Sequence, residues 1–573
     1  MNKRAVIITT VITFSFGLLF WRTFDLMLLR HETFVNKANV QQSQEIEIQV
    51  RRGVIYDRRG RELAVNIEQR SLYIDPTKVR SVPETAHKLS RALGIDKRKL
   101  LKKLDADRKF VWIRRKMDGK EMSRVNKLKI SGIGYVPESE RVYPRGAIAS
   151  HLLGFVDIDN HGLEGIEKKY EKFLTSRGGK IRVSTDARGN ILLAGDELES
   201  SGNSIVLTID EMLQYTVEKA LDAAIDKWKA SSATAIIMNP YTGEILALAN
   251  RPTFDPNSPG RSRAEYRRNR AITDVFEPGS TFKIVTAAAV LEKKLFKPNA
   301  LFDCSDGFIE VGGKRFKDDH KAGIITMAQV LQKSSNVGTI LMAQKLGKHE
   351  LYKYSKLFGF GERTGIDLPG EVSGWIRDPE SWSGTSMGAV PIGQEVAVTA
   401  MQVLRAYAAI ANGGYLVSPY IVSRIVSPEG QEIYNRQNPE MKRVLQRDTT
   451  LLIRGMLEGV TRMGGTALEA AVEGNSIAGK TGTAQIFDTG LNRYSNEKYL
   501  SSFAGFFPAN KPRLAMVVIV NEPKGDIYGG RVAGPVFKEI ATRALAYLNV
   551  PMDSAPSENV VFVSNVNGFK GTN

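Results

Sequence analysis

Hydrophobic and polar positions divide the chain into an apolar start, a mixed middle and a long second half with regular alternation. The start is residues 5–21, AVIITTVITFSFGLLFW, which carry no charge, and a run of this length can span a bilayer with some thinning. It follows Lys3 and Arg4 and ends at Trp21, an aromatic residue typical of a membrane interface. The pattern predicts a transmembrane anchor at residues 5–21 behind a cytoplasmic tail of residues 1–4.

A cleaved signal peptide is the alternative interpretation of this start. The apolar run is long for a signal peptide, and no small-residue cleavage site follows it before Arg22. An uncleaved anchor is therefore the prediction. The basic residues before it place the amino end in the cytoplasm and the rest of the chain outside, although Arg22 and Arg30 weaken the charge asymmetry.

The mixed middle predicts two parts without catalytic chemistry. Residues 22–50 form a predicted stalk, because apolar and polar residues alternate from Asp25 to Ile48 without proline or glycine, consistent with a helix. Residues 51–199 contain strand-like stretches such as SLYID and KIRVST between basic helical segments and glycine turns. This pattern of short strands, basic helices and turns predicts a non-catalytic pedestal domain.

Residues 200–550 show the pattern of an α+β domain. A strand leads into an amphipathic helix with Asp210 near its start. The stretch SATAIIMNPYTGEILALAN then alternates as a β-hairpin, and SSFAGFFPANKPRLAMVVIVNEP repeats the pattern of strand, turn and strand before a closing helix. Strands at both ends with helical patterns between them predict one sheet that joins the first and last strands. A tail, residues 551–573, follows.

The overall composition is that of a folded, modular protein. The 573 residues are 42% hydrophobic and 25% charged, and this length predicts two to four structural units. The net charge of +18 suits an anionic membrane surface or wall polymer. The densest basic stretch, residues 96–116, has apolar residues at helix-like intervals and is interpreted as the solvated face of helices, so we predict no nucleic-acid partner.

Metal chemistry and disulfide stabilisation are not indicated. Cys304 is the single cysteine, so no intramolecular disulfide can form. The six histidines show no HExxH or other tight ligand spacing. We predict neither a metal nor a cofactor.

Candidate chemistry appears in FEPGSTFKIVTAAAVLEKK, where Ser280 opens a helix-favouring run. Free backbone N–H groups and the positive dipole end at a helix N-terminus would stabilise an oxyanion there. Lys283 lies one turn later on the same face, so the two side chains can touch. A serine becomes nucleophilic when a base takes its proton, and lysine can be that base if burial or a nearby cation lowers its pKa. Ser280 and Lys283 are therefore the predicted nucleophile and base.

Two further motifs, in order along the chain, strengthen a Ser-x-x-Lys signal that is weak alone. The first is SSN, with Ser334 and Asn336, and the second is KTGTAQ, which begins at Lys480. Ser334 can relay a proton to a leaving amine, and Asn336 can hold a substrate amide. Lys480 adds positive charge for a substrate carboxylate.

The residues after Lys480 predict an edge strand beside the nucleophile. In the run Thr481, Gly482 and Thr483, the glycine has no side chain and would let a substrate backbone approach closely. With a backbone N–H of Thr483 opposite that of Ser280, the oxyanion hole would be complete.

Two neighbouring features receive simpler interpretations. Glu277, just before Pro278, is interpreted as a charge at a helix N-terminus rather than a catalytic acid. Asp318, Asp319 and His320 lie among turn residues and are interpreted as a solvated loop rather than a metal site or triad. A Ser-His-Asp hydrolase would need a GxSxG elbow or its equivalent, which the sequence lacks.

Nearly the whole chain after the anchor resembles the class B penicillin-binding proteins, most of all their septal members. RRGVIYDRRGRELAVN, from Arg51 to Asn66, is similar to the family's RGxIxDRxGxxLA motif, and ERVYPRGAIASHLLGFVDIDNHGLEGIEKKYE is similar to its RxYPxG, AxHxxG and GxEGxE segments. The matching motifs of the second half are LTID, NPYTGEILALAN, FEPGSTFK, SSNVG, GIDLPGE, GQEVAVTAMQ and KTGTAQ.

The resemblance implies an antiparallel sheet flanked by helices, as in serine β-lactamases, on an elongated pedestal of the penicillin-binding protein dimerisation type. It implies that the D-Ala-D-Ala end of a stem peptide acylates Ser280 with Lys283 as general base, after which an amine of a neighbouring stem attacks the ester. Ser334 and Asn336 would form the second motif and residues 480–483 the third. β-Lactams would mimic the D-Ala-D-Ala end. The implied partners are the inner membrane and a polytopic peptidoglycan glycosyltransferase of the division machinery.

Three alternatives remain open at this point. An elongation-specific class B enzyme would share the motifs, although FEPGSTFK, GLEGIEKKYE and the modest length favour the septal form. A β-lactamase would share them too, but it is usually a compact soluble chain without an anchor and pedestal. A non-enzymatic penicillin receptor would need a signalling module, for which residues 1–4 leave no cytoplasmic room.

Overall fold

The computed structural model describes residues 3–34, 43–47, 51–105, 108–175, 180–185, 191–192, 201–437, 440–488, 490 and 493–553. The predicted tail beyond residue 553 lies outside these residues. The chain forms two compact units. The smaller unit holds Glu68–Ser139 with the segments before Gly53 and from Thr175 to Gly202, and the larger holds Gly53–Ile67, Glu140–Leu174 and the chain from Asn203 onward.

Helices occur throughout the described residues, mostly in the larger unit. The α-helices are α1 (Lys3–Phe24), α2 (Val82–Leu93), α3 (Lys97–Leu104), α4 (Gly119–Asn126), α5 (Ser150–Leu153), α6 (Gly165–Lys169), α7 (Glu171–Leu174), α8 (Glu211–Trp228), α9 (Arg270–Thr273), α10 (Lys283–Glu292), α11 (Met327–Gln332), α12 (Asn336–Leu346), α13 (Lys348–Leu357), α14 (Ser386–Ala389), α15 (Ala400–Ala411), α16 (Arg447–Glu458) and α17 (Gly529–Tyr547). Short 3₁₀ turns span Pro76–Lys78, Pro259–Arg261, Ala264–Arg267, Gly279–Phe282, Pro379–Ser381, Val390–Ile392, Gly459–Thr461 and Leu468–Ala470.

In the described part of the chain the strands form two larger sheets, of seven and five strands, and several smaller ones. They are β1 (Ser43–Glu47), β2 (Ile55–Tyr56), β3 (Glu62–Ile74), β4 (Val111–Met117), β5 (Ile133–Val142), β6 (Lys180–Thr185), β7 (Ile191–Leu192), β8 (Ser204–Leu207), β9 (Ser232–Met238), β10 (Ile245–Arg251), β11 (Leu301–Cys304), β12 (Phe308–Val311), β13 (Lys314–Lys317), β14 (Gly323–Thr326), β15 (Trp375–Ile376), β16 (Val396–Ala397), β17 (Tyr415–Val417), β18 (Val422–Val426), β19 (Glu432–Asn435), β20 (Met441–Arg443), β21 (Ala478–Asp488), β22 (Arg493–Phe507) and β23 (Leu514–Asn521).

The N-terminal apolar helix extends beyond the predicted residues 5–21. Helix α1 ends at Phe24 and continues as a π-helical segment, Asp25–Leu29. The stretch Val6–Leu29 is long and apolar enough to cross a membrane, with a mean hydropathy of 1.6 over its best window. The expected apolar helix is thus present. It extends to Leu29, about two turns beyond the end of the uncharged run at Trp21.

The predicted helical stalk is confirmed only at its beginning. Asp25 pairs with Arg22 and with Arg30 at 3.1 Å each, so its charge does not end the helical segment. Farther on, the prediction of a helix up to Ile48 is wrong, because β1 is a strand that pairs antiparallel with β6. Residues 35–42, between these parts, lie outside the described chain.

In the smaller unit, α2, α3 and α4 enclose an apolar core with β4 and the last part of β3. This core includes Leu72, Leu89, Leu100 and Ile113. The basic stretch at residues 96–116 was predicted to be helical throughout. That prediction is confirmed for α3, in which Leu100 and Leu104 are buried while the lysines face solvent, and wrong for β4, which pairs antiparallel with β3.

The larger unit is built on a five-stranded antiparallel sheet in the order β10, β9, β23, β22 and β21. The hairpin of β9 and β10 therefore pairs with β23 from the far end of the chain, in the register Val517 opposite Ile236. The predicted joining of strands from both ends of the domain is confirmed for this hairpin, but β8, the first strand of the predicted domain, pairs with β2 and β18 in another sheet. Strand β21 lies at one edge of this sheet.

Both faces of the sheet are covered, which explains the unbroken apolar run of β23. Val517 and Ile519 face a core that includes α10 and α15, while Met516 and Val518 face a second core with α8 and α17. An antiparallel sheet usually has one solvated face and alternating polarity. Here the two helical layers remove that alternation, and in the first of them α15 packs directly against β9, β22 and β23.

Segments of the predicted pedestal are also part of the larger unit. Strand β2 pairs parallel with β8 and antiparallel with the beginning of β3. Arg141 and Glu167, both fully buried side chains, form an ion pair of 2.7 Å, and Arg141 Nη1 also donates to Gly53 O at 2.8 Å. A buried ion pair is costly to break, because either partner alone would leave an uncompensated charge. These contacts tie residues 53–67 to residues 140–174.

Candidate active site

Ser280 lies in the 3₁₀ turn Gly279–Phe282, which leads directly into α10. The predicted helix start is confirmed, with a tighter first turn than an α-helix has. A 3₁₀ helix has three residues per turn, so positions 280 and 283 lie above one another. We call Gly279–Phe282 the serine turn.

Two contacts from distant residues hold the serine turn. Gly279 N donates to Gly393 O at 3.1 Å, and the hydroxyl of Tyr407, buried on α15, donates to Thr281 O at 2.9 Å. Gly393 has a φ of +81°, and a Cβ added to it would lie 2.2 Å from Gly279 O. Only glycine allows this approach, which fixes the loop directly behind the nucleophile.

Lys283 is completely buried in a site that lowers its proton affinity. Its Nζ donates to Ser334 O at 2.6 Å and to Ser334 Oγ at 3.3 Å. Burial lowers the pKa of Lys283 to about 7, although the negative charges of Asp318 and Asp319 act in the opposite direction. Within the described residues Lys283 Nζ donates its hydrogen bonds to Ser334 and none to Ser280. The lysine thus connects the first motif to the second.

Ser334 connects the end of α11 to the start of α12. Its φ of +60° is uncommon for a residue with a side chain. The backbone N–H groups of Ser334 and Ser335 donate to Leu331 O and Val330 O at 3.2 and 2.9 Å. These bonds hold the unusual backbone in place. Ser335 then caps α12 by accepting from Gly338 N at 3.0 Å.

Asp318 is not the solvated loop residue that the sequence suggested. Its carboxylate accepts from Ser335 Oγ at 2.7 Å, from the backbone N–H of Asn336 in a very short hydrogen bond, and from Val337 N at 3.0 Å. A carboxylate at a helix N-terminus satisfies free N–H groups and complements the helix dipole. Asp319 and His320 are exposed, so the solvated interpretation is confirmed for them. Asp318 positions the second motif.

Asn336 lies in the first turn of α12, where its side chain is anchored to the neighbouring strand. Its Nδ2 donates to Lys317 O at 2.7 Å, at the end of β13. The amide is half-buried. It can therefore keep a fixed orientation toward the space in front of Ser334.

The KTGT run lies on β21, which confirms the predicted edge strand. Strand β21 pairs with β22 on one side only, with Lys480 opposite Ala504 and Thr483 opposite Ser501. Its other side faces the serine turn. A Cβ added to Gly279 would lie 3.2 Å from Thr483 O, which shows how closely the two backbones approach.

Gly482 is needed for packing inside the protein. A Cβ added to it would lie 2.4 Å from Ser502 Oγ, 3.0 Å from Thr281 Cγ2 and 3.1 Å from Pro278 O. The prediction that its missing side chain also makes room for a substrate backbone is not tested by these contacts and stays a prediction. The absent side chain lets the strand lie against the serine turn, because protein atoms occupy that side.

Lys480 is a second completely buried lysine. Its Nζ donates to Thr481 Oγ1 at 3.2 Å and to Thr481 O at 3.4 Å. Burial, with a smaller contribution from Lys283, lowers its pKa well below the ordinary value, and Asp319 acts in the opposite direction. Thr481 Oγ1 also lies 2.9 Å from Thr466 Oγ1, which orients this hydroxyl. Among the described residues Lys480 thus has no adjacent buried carboxylate partner, and its burial favours the neutral amine.

Glu277 does not cap the helix that follows it, so the interpretation of this residue as an N-terminal helix charge is wrong. Its carboxylate accepts from Glu395 N at 2.9 Å and from the hydroxyl of Tyr494 at 3.0 and 3.1 Å. Burial raises the pKa of Glu277, and these two hydrogen bonds act against that shift. The side chain joins three separate segments of the chain.

The residues predicted from the three motifs therefore converge, with Lys283 bonded to Ser334, and residues that sequence reasoning missed hold the segments around Ser280 and Asn336. The missed residues are Asp318, Glu395, Tyr407 and Tyr494, which bind the motif segments from other elements. No local pattern marks Tyr407 or Tyr494. Glu395 lies in the GQEVAV run, which signalled a family motif but gave no role for the residue.

Family models match both parts of the chain after the anchor. The penicillin binding protein transpeptidase domain matches residues 233–542, and the penicillin-binding protein dimerisation domain matches residues 47–207. The first match covers more than half of the chain and includes all three motifs.

Similar proteins of known name span almost the same length. The peptidoglycan D,D-transpeptidase FtsI of Escherichia coli is 32% identical over 563 residues, covering 97% of this chain and 93% of its own. The stage V sporulation protein D of Bacillus subtilis is 35% identical over 534 residues, with 91% and 82% covered. The probable peptidoglycan D,D-transpeptidase PenA of Neisseria meningitidis is 34% identical over 510 residues, with 87% and 85% covered.

A solved structure supports the same relationship. Penicillin binding protein 3 of Mycobacterium tuberculosis, complexed with aztreonam, matches with a TM-score of 0.70 and 30% identity over 89% of this chain and 99% of that one. The converging motifs, the domain matches and the extent of these similarities agree. The chain belongs to the class B penicillin-binding proteins, the peptidoglycan D,D-transpeptidases.

Proposed function

We propose that this transpeptidase acts through Ser280 as the acylated nucleophile, with Lys283 as its general base. The observation that carries the proposal is the complete burial of Lys283 one turn after Ser280, which lowers the pKa of the lysine to about 7. A general base works best when its pKa lies near the working pH. An ordinary lysine would stay protonated and could not accept the serine proton.

The acylation step uses the three motifs together. Lys283 Nζ takes the hydroxyl proton as Ser280 Oγ bonds to the carbonyl carbon of the penultimate D-alanine. The amide bond then breaks, and the terminal D-alanine leaves with a proton relayed through Ser334. The distance of 3.3 Å between Lys283 Nζ and Ser334 Oγ supports this proton route. An amine of a neighbouring stem peptide then attacks the ester, and Ser280 Oγ leaves and regains its proton.

Asn336 and residues 480–483 would hold the donor peptide. We assign Asn336 to a substrate amide and Lys480 to the terminal carboxylate. Burial of Lys480 supports this, since a bound carboxylate would supply the counter-charge that restores the protonated form. The backbone of Thr481, Gly482 and Thr483 would pair with the extended peptide, and the N–H groups of Ser280 and Thr483 would bind the oxyanion.

Labelling with a fluorescent penicillin tests this assignment. The wild-type protein should form a stable adduct that maps to the peptide carrying Ser280, and Ser280→Ala should form none. Ser305→Ala, which changes an exposed serine, is the matched control and should label like wild type. Equal labelling of Ser280→Ala, or an adduct on another residue, would exclude this serine. Rapid loss of the adduct would instead indicate a β-lactamase.

We further propose that the enzyme works at the division septum rather than in elongation. The motifs FEPGSTFK and GLEGIEKKYE and the modest chain length support this, as does the similarity to FtsI over nearly the whole chain. Depletion in cells distinguishes the two roles. Filamentous cells are expected, and round cells would contradict the septal assignment.

The proposed location is the inner membrane, with the amino end in the cytoplasm and the larger unit outside. Lys3 and Arg4 before the apolar helix support this orientation. Protease added to intact spheroplasts should digest the part beyond the anchor, and protection of that part would contradict the orientation.

We also propose that residues 51–199 serve as the pedestal and residues 200–550 as the transpeptidase domain. A polytopic peptidoglycan glycosyltransferase would bind through the anchor and pedestal and supply new strands. Substitutions confined to residues 1–199 should abolish co-purification with such an enzyme while penicillin labelling persists. Co-purification that survives every such change would place the contact elsewhere.

A further inference from the structure

A hydrogen-bonded group outside the three motifs links the serine turn to β22. Its centre is Glu277, three residues before Ser280. Tyr494, on β22, donates its hydroxyl to the two carboxylate oxygens of Glu277 at 3.0 and 3.1 Å. Glu395 N donates to one of the same oxygens at 2.9 Å. One side chain therefore holds a strand and a loop to the segment that enters the serine turn.

Tyr494 also belongs to the structure that carries the third motif. Strand β22 pairs with β21, and Tyr494 is opposite Phe487, beyond a register irregularity that separates this pair from the pairing of residues 499–506 with residues 478–485. The two rings pack edge to face with centroids 5.4 Å apart, which restricts rotation of the tyrosine. Burial and the negative charge of Glu277 raise the pKa of Tyr494, so its hydroxyl keeps the proton that it donates.

The loop at Glu395 is itself fixed on both sides. The Glu395 carboxylate accepts from Ser386 Oγ at 2.6 Å and forms a very short ion pair with Arg377. Two residues earlier, Gly393 O accepts from Gly279 N at 3.1 Å. The loop thus contacts the chain on either side of Pro278, and Glu277 is the point where it meets the β21 and β22 hairpin.

We propose that the Tyr494 to Glu277 hydrogen bond is a positioning clamp that holds β21 at the correct separation from Ser280 during acylation. Both are positioning residues, since they act through the serine turn and the strand. The inference rests on the proposed nucleophile, Ser280. Acylation needs the N–H groups of Ser280 and Thr483 on one oxyanion at the same time, and displacements well below 1 Å weaken such contacts.

The clamp should affect the chemical step more than the binding of the ligand. Ligand binding would be shared among Asn336, Lys480 and the backbone of β21, whereas oxyanion stabilisation depends on two donors from different segments. A hydrogen bond to a charged group is among the stronger interactions of its kind, so its loss can change a rate by about tenfold.

The experiment is a double-mutant cycle on the full-length protein in detergent. Tyr494→Phe, Glu277→Gln and the double variant are compared with wild type in the dissociation constant and the acylation rate constant for a fluorescent penicillin, measured by stopped flow. Melting temperatures are recorded in parallel. Tyr499→Phe is the matched control, because it removes a hydroxyl from the same strand whose contact is a long hydrogen bond of 3.4 Å from Gln485.

Each single variant should acylate about tenfold more slowly with a dissociation constant close to wild type. The double variant should be no slower than the slower single variant, because both changes act on the same interaction: Tyr494→Phe removes its donor, and Glu277→Gln leaves a weaker, uncharged acceptor. Tyr499→Phe should behave like wild type. If Glu277→Gln does not fold, Tyr494→Phe alone decides the question.

Wild-type acylation by Tyr494→Phe would overturn the clamp, as would additive effects in the double variant. A lower melting temperature together with a higher dissociation constant would also overturn it, since that result indicates a structural role. An adduct absent from the wild-type protein, or located away from Ser280, would instead refute the proposed nucleophile.

Discussion

The two buried lysines give the site its chemical character at the scale of single residues. Lys283 and Lys480 are both completely removed from solvent, and burial favours the neutral form of each. A neutral Lys283 can accept a proton, which fits its position one turn after Ser280. For Lys480, a substrate carboxylate would supply the missing counter-charge. The same burial thus prepares one lysine as a base and the other as an anion receptor.

The pH dependence of acylation tests the state of Lys283. Burial lowers the pKa of this lysine from 10.5 to about 7, so the neutral base is present above pH 7 and is lost as the pH falls through that value. The second-order rate constant for penicillin acylation should therefore fall about tenfold per pH unit on the acid side of the midpoint. Stopped-flow measurements from about pH 5 to about pH 9 check this. A rise in rate only near the pKa of an ordinary lysine would contradict a neutral Lys283.

At the scale of elements, the start of α12 shows how a motif depends on a residue outside it. Asp318 accepts hydrogen bonds from three donors at this helix end, and its charge also acts on Lys283. The effect of the capping hydrogen bonds can be separated from the effect of negative charge on the pKa of Lys283. Exposed Asp319 also raises that pKa, but it does not cap α12.

Asp318→Asn and Asp319→Asn should therefore shift the pH profile in the same direction but differ in the plateau rate and in stability. Both remove a negative charge that raises the pKa of Lys283, so the pH profile of acylation should move to lower pH in each. Asp318→Asn should also lower the plateau rate and cost about 1 kcal/mol in the free energy of unfolding, since the helix loses its charged cap. Urea unfolding and the pH profile measure these effects. An unchanged plateau in Asp318→Asn would mean that the cap does not position Ser334.

The contact of β21 with the serine turn leads to a prediction about packing. Gly482→Ala places a methyl group 2.4 Å from Ser502 Oγ, so the strand must move, and we expect a loss of about 1 to 3 kcal/mol in stability with slower acylation. Ser502 Oγ is buried and has no hydrogen-bond partner among the described residues. Ser502→Ala alone should therefore be nearly neutral, and it should partly restore Gly482→Ala. Thermal unfolding and acylation rates check both, and an unaffected Gly482→Ala would contradict the packing argument.

The elements themselves were largely predictable, while the contacts between them were not. The hairpin of β9 and β10 follows from alternation around a turn, and the helix after Ser280 follows from its local composition. The role of Asp318 depends on a chain reversal that brings it to α12, and Tyr494 meets Glu277 across 217 residues. Local patterns carry no information on such pairings. The strand β4 was missed because its basic residues and apolar spacing also suit a helix.

At the scale of the whole molecule, the anchor and the three catalytic motifs belong to different compact units of the chain. The apolar window within Val6–Leu29 has no residue buried against the described chain. The larger unit begins at Gly53, and its two cores are formed without the anchor. Membrane attachment and catalytic geometry therefore depend on different parts of the sequence.

Removing residues 1–30 should release the protein from the membrane and preserve acylation of Ser280. The two large cores of the larger unit consist of described residues from Ile55 onward, and the contacts described above for the serine turn, α12 and β21 come from that same unit. After cell fractionation, the penicillin-labelled protein should move from the membrane pellet to the supernatant with an unchanged acylation rate, and the same truncation carrying Ser280→Ala should remain unlabelled. A truncated protein that stays in the pellet would reveal a second membrane contact, while a soluble protein that no longer labels would show that the anchor supports the active fold.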